Sequence, residues 1–168
     1  MEEIKELKEQ LSLQRPTKWE EMPDIELYMD QVISYMTRQH VGVEGKETPT
    51  SAMVNNYTKM GLMPRANGKK YNRDHIAHLT AICLLKQVLS INNVGTLLKS
   101  QLEEENIQDF YARYSELLNQ TCVEVGNGIS EEQDVEGIKK EILRLAVESY
   151  ANRFACLQLL KILDNKSE

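Results

Sequence analysis

Ser51, Asn55 and Lys59 follow one another at intervals of four residues, with Asn56 beside Asn55. On an α-helix that spacing makes one stripe of neighbouring side chains. An Asn amide carries a donor and an acceptor together, which matches the edge of adenine, and a Ser hydroxyl can bond either kind of base atom. Downstream, Arg65, Lys69, Lys70, Tyr71 and Arg73 cluster around Asn67-Gly68. Cations and phenolic hydroxyls are the groups that bond phosphate oxygens. The chemistry on offer is recognition of a polyanion, with base reading from Ser51, Asn55 and Asn56. Backbone contact falls to Tyr57, Lys59, Arg65, Lys69, Lys70, Tyr71 and Arg73. Bond-making constellations are missing: the chain has no Ser/His/Asp set in motif context, no GxGxxG and no Walker loop. An enzyme is not expected, and no cofactor is implied.

The charge distribution supports a polyanion partner although the net charge is −6. Residues 46–99 hold eight basic groups against two acids, or +6. Residues 1–45 hold 5 basic and 10 acidic groups (−5), and residues 100–168 hold 7 and 14 (−7). A cationic centre between acidic flanks focuses a polyanion on one surface while the rest repels it.

These residues need elements to position them. Ile4, Leu7 and Leu11 share a face of a helix over 2–14, closed by Arg15-Pro16. Pro23 opens a helix over 24–38, with Ile25, Tyr28, Met29, Val32, Ile33 and Met36 as its apolar stripe. A loop at His40–Pro49 precedes a short helix, 51–60, capped by Thr50 and ended by Gly61. Residues 62–71 form a hairpin, with Leu62-Met63 and Lys70-Tyr71 flanking the Asn67-Gly68 turn. Asn72 caps a helix to about residue 89, with Ile76, Leu79, Ile82, Cys83 and Val88 or Leu89 inward, and Ser90 caps a helix over 91–99. An acidic amphipathic helix spans 101–120, and Gly126-Asn127-Gly128 breaks the chain. Ser130 with Glu131, Glu132 and Gln133 reads as a capping-box start for a last helix over 131–163. There Ile138, Ile142, Leu145, Ser149, Asn152, Cys156, Leu159 and Leu163 form a heptad-like seam. The stretch 154–163 is apolar nearly all round, so it must be covered by its own core or by a second chain.

Other reactive residue types have simpler roles. His75 and His78 lie three apart, but no third protein ligand stands near them, so no metal is expected. Asp74 complements a helix N-terminus. Cys83, Cys122 and Cys156 lack CxxC spacing and suit buried or free thiols in a reducing cytosol. The charged start MEEIKELKEQ lacks the apolar run of a signal peptide, and no stretch approaches a membrane span, so a cytoplasmic protein is expected.

Residues 54–98 resemble the DNA-binding half of MerR-type regulators. The landmarks are Tyr57, Gly61-Leu62, Pro64, Asn67-Gly68 and Tyr71. They continue through Ile76, Leu79 and Ile82 to Ser90-Ile91, Val94 and Leu97-Leu98. Asn55 and Asn56 stand where such chains carry Arg and then an aromatic, and Val88 stands in place of a Gly. A second resemblance rests on Trp19, Pro23-Asp24, Leu27 to Val32, Asn55-Asn56-Tyr57, Lys70-Tyr71 and Asp74-His75-Ile76. It is to the family catalogued as domain of unknown function 1836, which has a MerR-like helix-turn-helix. The resemblance implies transcriptional regulation without naming a ligand.

The expected fold is mainly α: a MerR-like winged helix-turn-helix with a short β-hairpin wing, then a helical C-terminal region. The expected division is an N-terminal helix and link (1–19), a DNA-binding domain (20–99) and the C-terminal region (100–168). The expected partners are double-stranded DNA and a second copy of the chain through the C-terminal helices. A protein–protein adaptor that docks a partner on the same scaffold is the alternative. The operator, the effector and the sign of regulation are outside what the sequence carries.

Overall fold

The computed structural model describes residues 2–39 and 48–166; Lys46, Glu47 and most of the expected loop at His40–Pro49 lie outside the described residues. The chain is mainly helical. Among the described residues the elements are α1 (Glu2–Ser12), a 3₁₀ turn (Trp19–Glu21), β1 (Leu27–Tyr28), α2 (Met29–Arg38), α3 (Ser51–Lys59) and β2 (Lys70–Tyr71). Then come α4 (Arg73–Leu85), α5 (Ile91–Leu102), α6 (Ile107–Gly128) and α7 (Val135–Lys166). No described helix is long and apolar enough to cross a membrane. Two compact units divide the chain: Gln14–Leu118, and Met1–Leu13 together with Asn119–Glu168.

The Gln14–Leu118 unit is built around α4. Every residue from His75 to Cys83 is buried. Such a helix is apolar on all sides because other elements surround it. Ile76, Leu79 and Ile82 are fully buried there, as are Val32 of α2, Val54 of α3 and Val94 of α5. The expected caps form: Thr50, Asn72 and Ser90 each accept a hydrogen bond from the amide three residues on. Leu89 is the residue turned inward after α4, whereas Val88 is exposed. From α6, the Tyr111 ring is buried, its hydroxyl donates to the Thr17 carbonyl at 2.7 Å, and Trp19 packs on it at 6.2 Å.

Two local expectations are corrected here. The helix expected over 24–38 begins only at Met29, because Leu27 and Tyr28 pair as a strand with Tyr71 and Lys70. Ile25 is consequently outside any helical stripe and exposed. The Gln31 side chain accepts from the Tyr28 amide at 2.8 Å and starts the helix there. The expected 62–71 hairpin reduces to its tip. Asn67 and Lys70 exchange backbone hydrogen bonds at 2.9 and 3.1 Å, but the partner of β2 is β1 rather than Leu62-Met63. Leu62 and Met63 are buried in the core instead.

In the second unit, α6 runs through Gly126-Asn127-Gly128, where a break was expected. A helical Gly costs only about 1 kcal/mol relative to Ala, so a continuing helix can absorb it. The Leu11 side chain of α1 lies close over Gly126. The cap of α7 is Asp134, whose carboxylate accepts from the Gly137 amide at 2.8 Å, not Ser130; residues 129–134 link the two helices. Of the 32 residues of α7, only Leu160 is buried. Phe154, Leu159, Ile162 and Leu163 are exposed, so the described residues cover the apolar 154–163 stretch only in part, at Leu160 and beside Cys156 and Leu157.

The end of α3 shows why its sequence stops there. The Leu62 amide bonds the Tyr57 carbonyl at 2.9 Å and the Gly61 amide bonds Thr58, a Schellman closure that places Gly61 at φ +75°. An L-residue with a Cβ is strained in that region. Gly61→Ala is therefore expected to lower stability by about 1–2 kcal/mol, read as a lower urea midpoint with an unchanged slope.

Candidate nucleic-acid interface

On α3 the buried stripe is Val54 and Tyr57, with Met53 half-buried. That phase sends Ser51, Asn55, Asn56 and Lys59 outward, and all four are exposed. The Asn56 amide rests against the Met60 sulfur at 3.4 Å, while nothing among the described residues holds the Asn55 or Ser51 side chain. The chain from Lys59 to Arg65 is six residues, which limits their separation to about 20 Å.

The turn that follows is small and held at several points. Gly68 takes φ +65°, as the Asn-Gly signal requires. The Asn67 amide donates to Glu26 at 3.0 Å. The Lys70 ammonium lies 5.5 Å from the centre of the Tyr28 ring, a cation–π contact on the surface. His75 reaches back from α4: its Nε2 is 3.0 Å from the Arg65 carbonyl. A carbonyl only accepts, so that nitrogen carries the proton, and Nδ1 lies 3.0 Å from the Asn72 backbone amide and 2.7 Å from its side-chain oxygen. Tyr71 stacks edge-on against the same imidazole at 5.2 Å. Thus α4 fixes where the turn begins and where it ends.

The cations anticipated as backbone contacts fall into two sets. Lys59, Arg65 and Lys69 are exposed, and their side chains have no ion-pair partner among the described residues. Lys70 is half-buried on Tyr28, and the Arg73 guanidinium donates twice to the Met22 carbonyl, at 3.0 and 3.2 Å. Arg73 thereby ties the link before β1 to the start of α4. Tyr57 and Tyr71 are buried, with rings that belong to the core. Glu26, Tyr28 and His75 were not singled out as residues that shape the turn. A two-residue strand gives no alternation to detect, but His75 stands at the third position after the cap Asn72, where a side chain returns to the cap backbone.

His78 is the second polar anchor of α4. Its Nδ1 donates to the Asp74 carbonyl at 2.7 Å. The two histidines thus bond backbone carbonyls of separate segments, and no set of three metal-capable side chains gathers among the described residues. Burial pushes the His78 imidazole below its ordinary value of 6.5. The folded chain holds this ring neutral where the unfolded chain takes a proton, so the folded state binds fewer protons just below pH 6.5. Its contribution is complete above that pH and is lost as the pH falls. Urea midpoints measured from about pH 7 down to 5, above most carboxylate titration, should fall; in His78→Gln that part of the profile should flatten.

The family model described as "Domain of unknown function (DUF1836)" matches residues 17–116, more than half of the chain. No curated protein matches, and no solved structure matches.

Proposed function

The chain belongs to the family of Domain of unknown function (DUF1836), and from its surface chemistry we propose that it is a sequence-specific DNA-binding transcriptional regulator with a MerR-like winged helix-turn-helix. One observation carries the reading: α3 exposes Ser51, Asn55, Asn56 and Lys59 together, a few residues from the exposed Arg65 and Lys69. Polar residues with low helix propensity, adjacent on the solvent face of a short helix, are a cost that base recognition explains. In this reading α3 enters the major groove. Lys59, Arg65 and Lys69 pair with phosphates, and Lys70 joins them by leaving Tyr28. Arg73, Tyr57 and Tyr71 act through position: they hold the turn and helix in place.

Electrostatic binding of this kind weakens with salt because each neutralised phosphate releases counterions. The protein's affinity for duplex DNA is expected to fall steeply between about 50 and 200 mM salt. The double variant Lys69→Ala, Lys70→Ala should reduce the log–log slope by about 1 to 2 and weaken all sequences alike. Asn55→Ala should instead cut discrimination between sites by about 1–3 kcal/mol. Wild-type slopes in both variants, with discrimination intact, would remove the assignment.

We further propose that α7 pairs with α7 of a second copy. Its exposed Ile138, Ile142, Leu143, Val147, Tyr150 and Phe154 continue into Leu159, Ile162 and Leu163, more apolar surface than a lone helix leaves in water. A dimer also reads a two-fold symmetric site. The adaptor reading draws on the same helix, with an unlike partner covering it. Light scattering on the purified chain separates the two: a homodimer has twice the 19.4 kDa of one chain, and Ile142→Asp with Leu159→Asp halves that mass. A wild-type chain that stays monomeric at micromolar concentration favours the adaptor.

A further inference from the structure

A cleft of about 370 Å³ opens within the Gln14–Leu118 unit, between the turn leaving α3, the middle of α4 and the second half of α5. That volume suits a small organic molecule. Its floor is apolar, from Leu62, Met63, Leu98 and Leu102. One polar residue of α4 lines it: His78, which is 6% exposed. With Nδ1 committed to the Asp74 carbonyl, Nε2 is left as a lone-pair acceptor, and it has no hydrogen-bond partner among the described residues. An acceptor on the wall of an open cleft is available to a molecule that brings an O–H or N–H in place of water. Lys99 of α5 and Glu103, the residue just past its end, also line it, and neither has an ion pair among the described residues. Lys99 attracts one negative charge, and Glu103 repels a second.

We propose that this cleft binds a small hydroxylated aromatic monocarboxylate: the hydroxyl donates to His78 Nε2, the ring lies on Leu98 and Leu102, and the carboxylate pairs with Lys99. The Met63 thioether favours an aromatic ring over an aliphatic chain. The Glu103 carboxylate disfavours phosphates and dicarboxylates. The wall formed by residues 61–64 is also the segment that joins α3 to the Asn67-Gly68 turn. A bound molecule stiffens the connection between the two elements assigned to DNA. That last coupling rests on the DNA-binding reading; the binding site does not.

The test uses the full chain without DNA. Para-hydroxyphenylacetate is titrated while the methyl resonances of Leu62, Met63, Leu98 and Leu102 are followed. Saturable shifts at these methyls are expected. Para-methoxyphenylacetate, which lacks the donor, and the methyl ester of the hydroxy acid, which lacks the charge, should each bind about tenfold more weakly. Lys99→Met should lower affinity for the acid to that of its ester and leave the ester unchanged. The analogues keep the test decisive even if variants at the buried His78 do not fold. The site is refuted by an absence of shifts at those methyls up to about 10 mM, a bound whose free energy is under about 3 kcal/mol. Equal affinity for all three molecules refutes it as well. A DNA affinity unaltered by saturating acid refutes only the coupling.

Discussion

The interior position of α4 constrains everything else in the Gln14–Leu118 unit. From His75 to Cys83 every residue is buried, so the polar side chains there turn to partners within the protein. Thr80 returns its hydroxyl to the Ile76 carbonyl at 2.8 Å. His78 returns Nδ1 to the Asp74 carbonyl, one turn back along the same helix. His75, at the end of the buried run, reaches another segment and takes the Arg65 carbonyl. Burial therefore does two things at once. It supplies the apolar contact that holds α2 and β2 in place, and it turns a polar residue at the helix start into a fastener for the turn beside it.

The turn itself could not be stable alone. Its ladder is two residues long on each side, well short of what an isolated sheet needs in water. It persists because Leu27 and Tyr71 are buried and the ends are tied by side chains: Arg73 to the Met22 carbonyl, Asn67 to Glu26, and His75 to Arg65. The cost of this tying is that some cations are engaged. Lys70 and Arg73 stabilise the protein, while Lys59, Arg65 and Lys69 keep their charge outward. The cationic character of the central sequence is thus divided between architecture and surface.

Much of the local structure was legible from residue types. Thr50, Asn72 and Ser90 cap helices because a short side-chain oxygen meets a free amide whatever the surroundings. Gly61 and Gly68 take positive φ because few other residues can. With Val54 and Tyr57 buried, helical phase sends Ser51, Asn55 and Asn56 outward, although Ala52, whose apolar side chain suits the inward face, is exposed with them. The failures have a common origin. Whether Lys70-Tyr71 would pair with Leu62-Met63 or with Leu27-Tyr28 is a choice between distant segments, and two-residue strands carry no periodic signal. The run of α6 through Gly126 and Gly128 was likewise hidden, because a helix propensity penalty of about 1 kcal/mol is easily outweighed by packing.

The amino-acid order by itself determined where helices begin and end, which face of α3 points outward, and where the chain must turn, since capping, phase and backbone sterics act within a few residues. Tertiary structure alone decided which cations stay available, which segment completes the sheet, and that much of the apolar surface of α7 is exposed among the described residues. It also decided that His78 lines a cleft while its Nδ1 is bonded to the Asp74 carbonyl. These outcomes depend on which distant groups arrive at hydrogen-bond distance, and only the packing of whole elements sets that.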